Sequence, residues 1–388
     1  MQRKIITLGQ PADELASAFG LTKMAEENTH AHLSFAYNLN TDLVLTDTAT
    51  TGVVDHVENF ARVSTGVGAA GMGELLGREQ VKYIPGQAVL ARFTAIFTAG
   101  RAASLQAVGI GDIADTDALA FGYDGATFGI FHRSHGATVF IPQTAWNRPP
   151  LATDISPERL NLYEIGFTWL GAGPLFFYRY DPTRRFRTLV HVIEYPDSAV
   201  VTSLRNPTMG FFMRAENRGN LTNLAIKVPS FGMVIEAPPT HHGIGGTFSA
   251  QKTGVGAVEV PILTIRNLST YAGAINKVRA HIESIAIAST KDLQLRLVWS
   301  PTLTGGAGAF TEFATDRSVI ETNTDRTTIT AGTGRRIWGT VLEANAATHI
   351  AVSEDDIHLE PGGWWTLTAQ SVAANATVTT AINWKEEF

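Results

Sequence analysis

Eleven histidines, thirty-six acidic residues and no cysteine set the chemistry open to this chain. Without a thiol there is no cysteine nucleophile, no disulfide and no cysteine-ligated zinc. Histidines pair at His30/His32, His132/His135 and His241/His242. A catalytic zinc wants three protein ligands and an open fourth position, and no H-E-x-x-H is present. The pairs are therefore read as ordinary residues, with His135 a turn residue before Gly136 and His191 a strand residue between Val190 and Val192. A symmetry axis collecting one histidine per subunit stays open.

Asp112, Asp115, Asp117 and Asp124 crowd one glycine-rich loop, and Glu354, Asp355 and Asp356 another. Calcium takes oxygen ligands from such loops, but the D-x-D-x-D-G order is missing, so solvated loops are expected. Glycoside cleavage needs two carboxylates at a set separation in space. No local pattern marks such a pair, and no G-x-S-x-G nucleophile elbow occurs. Gly66-Val-Gly-Ala-Ala-Gly71 fits G-x-G-x-x-G. No acid between Glu79 and Asp112 could hold a ribose, and the following residues alternate like a strand, so the segment reads as a strand connection. No catalytic residue, metal ligand or cofactor is expected.

The aromatics say more. Phe121, Tyr123, Phe128 and Phe131 surround a glycine-rich stretch, and Trp169, Phe176, Phe177, Tyr178 and Tyr180 bracket Gly171–Pro174. Alternating aromatics on strands mostly fill the space between two sheets. Trp364 and Trp365 differ, because adjacent strand residues face opposite ways and one ring must point outward. That ring is a candidate for subunit contact or, second, for glycan stacking.

The elements that would position these residues are strands. Phe93, Ala95 and Phe97 share one face of an alternating run, as do Leu293, Leu295 and Leu297, and Val378, Thr380, Ile382 and Trp384. Turn signals such as Asp124-Gly125, Asp181-Pro182, Asn206-Pro207 and Gly305-Gly306 separate them. The one helix expected spans 11–28, where Pro11, Asp13 and Glu14 suit a helix start. The chain has 388 residues, more than one core usually supports, and its best internal boundary is the Pro/Gly-rich segment 237–246. The expected fold is all-β: an N-terminal anchoring arm over 1–45 with a short helix, a β-sandwich over 46–236 and a C-terminal jelly roll over 247–388.

Thirty basic against thirty-six acidic residues leave a net charge of −6, and the basic clusters Arg184–Arg187 and Arg335-Arg336 are short, so no nucleic-acid contact is expected. The first residues lack the apolar core of a signal peptide, and no run approaches the ~18 apolar residues of a membrane span. The chain reads as soluble and made in a cytosol.

An ordered set of motifs adds a resemblance. A Tyr83-x-Pro85-Gly86-Gln87 step leads into Arg92-Phe-Thr-Ala-Ile-Phe97. Gly109-Ile-Gly-Asp112, Phe121-Gly-Tyr123, Gly125 and Phe128-Gly-Ile130 follow. Then come Trp169–Pro174, Pro261–Asn267 and a terminal Ile382–Glu386. Together they resemble virion surface and appendage proteins (fibre, spike or capsid-associated) of tailed phages and large DNA viruses, over most of the chain from about residue 55. The resemblance implies a non-enzymatic structural protein of the virion, made in the host cytoplasm and serving assembly and host attachment. The expected partners are its own copies, with a homotrimer favoured because closed symmetric oligomers are the default for such β-modules, other virion proteins through the arm, and host surface glycan. The resemblance implies no catalytic residues. The alternatives are a carbohydrate-binding module, with Trp364 or Trp365 as stacking ring, and a glycan-degrading spike.

Overall fold

The computed structural model describes residues 27–81, 87–112, 116–148, 155–168, 171–181, 186–236, 243–352, 357–372 and 375–387. The chain divides into two units, Met1–Pro239 and Thr240–Phe388. Both are antiparallel β-sandwiches, so the all-β expectation holds. No helix among the described residues is long and apolar enough to cross a membrane.

The first unit is built from β1 (Glu27–Ser34), β2 (Val44–Ala49), β3 (Val53–Val57), β4 (Phe60–Ser64), β5 (Met72–Val81), β6 (Val89–Phe97), β7 (Ser104–Gly111) and β8 (Ala118–Asp124). It continues with β9 (Thr127–Ser134), β10 (Ala137–Pro142), β11 (Asn161–Phe167), β12 (Leu175–Asp181), β13 (Phe186–Ile193), β14 (Met209–Asn217), β15 (Ala225–Val228) and β16 (Ser230–Glu236). One sheet runs β13-β12-β11-β6-β15-β4-β3, with β16 also on β6 and β1 on β16. The facing sheet has seven strands, ordered β10-β9-β8-β7-β14-β5-β2.

Period-two alternation puts one face of each sheet inside. Phe93 and Ala95 of β6, Tyr163 and Ile165 of β11 and Phe177 of β12 meet Val108, Leu119, Phe121, Ile130 and Phe211 from the seven-stranded sheet. Ring contacts cross the gap, with Phe121 4.7 Å from Tyr163 and edge-on to Phe177 at 5.6 Å. Burying each such ring stabilises the unit by roughly 1.5–3 kcal/mol.

Two boundaries differ from expectation. Residues 27–45 are not arm: β1 pairs with β16 from Glu27↔Glu236 to Ser34↔Ser230, Ala31 and Leu33 are buried, and β2 is an edge strand of the other sheet. The helix expected over 11–28 lies outside the described residues, apart from Glu27 and Asn28, which open β1. The linker also ends early, because Ile244, Gly245 and Gly246 pair with Glu386, Lys385 and Trp384.

In the second unit, Ala376–Glu387 lies between Ile244–Val255 and Arg279–Ser289. Facing it is a sheet in which Trp364–Ser371 lies between Val260–Asn267 and Leu293–Trp299. These sheets have five and six strands. The alternating runs face as read: Leu293, Leu295 and Leu297 from one sheet meet Val378, Ile382 and Trp384 from the other.

Candidate functional site

Outside the core, the seven-stranded sheet carries a second apolar layer on its outward face: Leu105, Ala107, Ala120, Phe131 and Phe212, with Leu76 and Phe140 against them. The register explains its shape. One row across the sheet reads Leu76, Phe212, Gly109, Ala120, Phe131, Phe140. The next reads Glu74, Arg214, Ala107, Gly122, Gly129. Small residues on β7 and β8 thus lie between large ones on β14 and β9. The result is a trough along β7 and β8 with a glycine and alanine floor.

The floor glycines are imposed by the backbone. A Cβ on Gly109 would stand 2.1 Å from the Leu119 carbonyl oxygen, and one on Gly122 would stand 1.8 Å from that of Gln106. Phe140 lies over Gly129 and 4.9 Å from the Phe131 ring, which builds up one wall. The other wall is a chain of charges. Arg214 reaches Glu74 at 3.5 Å and Glu216 at 3.1 Å, and Arg218 reaches Glu216 at 3.3 Å. Partly exposed pairs like these contribute little stability, about 0–1 kcal/mol each, but they hold the side chains in place. With Arg133, Thr138 and Asp124 on its rim, the trough encloses about 460 Å³. An apolar floor with aromatic flanks and a rim of donors and acceptors suits a ligand with one apolar face and many hydroxyls.

Of the residues singled out from the sequence, Asp124 and Phe131 line the trough, while the tryptophan pair belongs to the other unit. Trp365 is core, 2% exposed, and is therefore the inward ring of the pair. Trp364 is the outward ring, half-buried, with its indole Nε1 donating to the Pro301 carbonyl at 3.2 Å. The segment Gly66–Gly71 joins β4 to β5 with no helix after it, and its turn is held by Asn217 Nδ2 donating to the Gly68 carbonyl at 2.9 Å.

Asp112 and Asp117 are buried rather than solvated. Asp112 accepts from the backbone N–H groups of Thr116 and Asp117, while Asp117 accepts from those of Arg205 and Asn206 at 2.8 and 3.2 Å. Those carboxylates pin two loops together. Asp115, His241, His242 and the acidic run 354–356 lie outside the described residues. Among the described residues no group of three His, Asp or Glu side chains could hold a metal ion.

Two histidines of the first unit are buried in the neutral form. His132 Nε2 donates to the Ser203 carbonyl at 3.1 Å, and burial lowers its pKa. Burial, helped by Arg148, pushes His191 down to about 4, and its Nδ1 accepts the Asn147 N–H at 3.2 Å, which requires that nitrogen unprotonated. The unfolded chain, with a histidine pKa near 6.5, takes up the proton first. Stability is therefore full above pH ~6.5 and falls as pH drops towards 4. Urea unfolding at pH 7 and pH 4.5 is expected to differ by about 2 kcal/mol from His191, a difference that His191→Gln removes.

No protein-family profile and no curated protein matches the chain. Among solved structures, the lectin UEA-II complexed with galactose aligns at 9% identity over 54% of this chain and all of its own, with a TM-score of 0.36. A legume lectin-like domain from Entamoeba histolytica aligns at 13% identity over 52% of this chain and 95% of its own, with a TM-score of 0.32. An endo-beta-1,4-glucuronan lyase from Trichoderma reesei aligns at 10% identity over 54% and 96%, with a TM-score of 0.34. At such scores and identities neither ligand nor activity passes from these proteins to this one. What the residues themselves establish is a pair of β-sandwiches, the first bearing a walled trough.

Proposed function

We propose that the first sandwich binds carbohydrate in the trough without cleaving it, and that the chain serves as a surface component of a virus particle. The observation that carries the binding reading is the Gly109/Ala120 floor between Phe212 and Phe131, rimmed by arginine and carboxylate side chains. Pyranose rings offer CH faces to such a floor and hydroxyls to such a rim. Cleavage has less support, since Glu216 is engaged by both Arg214 and Arg218 instead of standing in apolar surroundings as a general acid would. The particle setting rests on the ordered motifs, whose Gly109, Gly122 and Gly129 all lie on the outward face that forms the trough.

A glycan array probed with the whole chain, followed by calorimetry on the best hit, tests the binding. Phe131→Ala and Phe212→Ala each remove an aromatic flank and are expected to weaken binding about 10–100-fold with the β-sheet spectrum kept. A blank array across neutral and acidic glycans, or unchanged affinity in both variants, rejects it. The particle reading predicts that the chain is found in image reconstructions of intact particles.

One further feature favours self-association, with a trimer as the preferred assembly. The outward face around Arg279–Ser289 carries Ala286, Ala288, Ala347, Ala381 and Ser249, small side chains that let another sheet approach closely. A strictly monomeric mass at micromolar concentration, without particle association, would exclude that assembly.

A further inference from the structure

One end of the first sandwich carries a row of polar side chains in its interior. There the register aligns Tyr163 of β11, Arg179 of β12 and Thr188 of β13 in a single row. Phe177, two residues before Arg179 on the same strand, is core, so Arg179 faces the same way. Adjacent strands lie about 4.8 Å apart, which makes the three side chains immediate neighbours. All are buried: Arg179 and Thr188 are each 5% exposed and Tyr163 is 0%.

The atoms they bring there are unusual for an interior. Arg179 Nε, Thr188 Oγ1 and the Tyr163 hydroxyl are each enclosed and have no hydrogen-bond partner. Other arginines of this sheet contrast with that. Arg92 and Arg187 both reach Glu164 on the outer face, and Arg187 also lies over the Tyr178 ring. Among the described residues no ion pair involves Arg179; Asp181, two residues on along the same face, is buried as well and has a partner of its own. Glu158 is within electrostatic reach of Tyr163, as Arg179 is, but its carboxylate accepts the Tyr123 hydroxyl.

A guanidinium only donates, and both hydroxyls can donate. Three donors at neighbouring positions, one of them charged, lack the acceptor that burial demands. Water could satisfy each hydroxyl singly, whereas an oxyanion would accept from the hydroxyls and the guanidinium Nε together. We propose that Arg179, Thr188 and Tyr163 form an internal binding site for a small oxyanion. The guanidinium takes two of its oxygens side by side, as arginine does with carboxylates and phosphates, and the hydroxyls donate to it from either side. The site is inside the sandwich and separate from the outward trough, so its test is independent of carbohydrate binding.

Thermal melts of the whole chain, titrated with inorganic phosphate, sulfate or acetate at constant ionic strength set by chloride, test this. The expected result is a saturable rise in melting temperature with at least one of the three. Phosphate or sulfate acting alone identifies a tetrahedral ligand, and acetate a carboxylate. General salting effects are shared by all variants, whereas a rise through this site is lost in Arg179→Met. Thr188→Val and Tyr163→Phe keep shape and fold, and each is expected to raise the half-saturating concentration at least about threefold. Should Arg179→Met not fold, these two decide. The proposal is overturned if no anion exceeds chloride, or if the variants that fold respond as the parent does.

Discussion

Glu386→Ala is expected to lower the stability of the second unit by about 4 kcal/mol, or about 10 °C in its melting temperature. The carboxylate is 2% exposed on the last strand and is fully used. Its Oε1 accepts from Trp384 Nε1 at 2.9 Å and from Ser318 Oγ at 2.7 Å, and its Oε2 accepts the Val319 N–H at 2.7 Å. Removing it strands three donors in a dry interior, each costing about 1–3 kcal/mol before relaxation. Glu386→Gln keeps the volume but offers one acceptor oxygen, so its loss should fall between alanine and parent. Calorimetry, with Trp384 fluorescence as a local probe, measures both. An alanine variant within 1 kcal/mol of the parent would contradict the structure.

Gly122→Ala should cost the first unit more than 3 kcal/mol, beyond the usual range for a single added methyl. The new Cβ would lie 1.8 Å from the Gln106 carbonyl oxygen and 2.9 Å from the Ala107 Cα, and backbone cannot swing aside as a side chain can. Relief requires β7 and β8 to part, which breaks the Gln106↔Tyr123 and Ala107↔Gly122 register beneath the trough. Gly232→Ala is the matched comparison, a strand glycine with nothing within 4 Å of the added Cβ. Its unfolding free energy in urea should stay within about 0.5 kcal/mol of the parent. Equal midpoints for the two variants would show that the strands yield.

Local alternation made most strands legible. Phe93 and Phe97, or Val378 and Ile382, needed only period two and a buried face, and both sit as that pattern requires. What depended on distant partners was not legible. The segment 27–45 looked like an arm because the strand that completes it, β16, lies about 200 residues downstream. Asp117 looked solvated because Arg205 and Asn206, which fill its oxygens, are some 90 residues away. Adjacent tryptophans had to face opposite ways, and Trp365, in phase with Leu367 and Ala369, is the one on the core side.

The trough had a signal that went unused. Gly109, Gly122 and Gly129 alternate with Ile110, Phe121, Phe128 and Ile130, so the inward residues mark a core while the outward glycines mark a depression. Depth comes from the flanking Phe131 and Phe212, whose positions across the sheet only the topology supplies.

The pairing of β1 with β16 also orders events in time. A ribosome adding about 5–20 residues per second needs roughly 10–40 s to travel from the first of these strands to the second. From its own synthesis to the end of that interval β6, the strand on which β16 docks from Phe231 to Ile235, has part of one edge open. An open edge beside buried apolar side chains is a template for pairing with another chain. Crowded polysomes are thus the setting in which this protein is most exposed to joining its neighbours wrongly, and slower initiation or a holdase relieves it by spacing or covering the nascent edges.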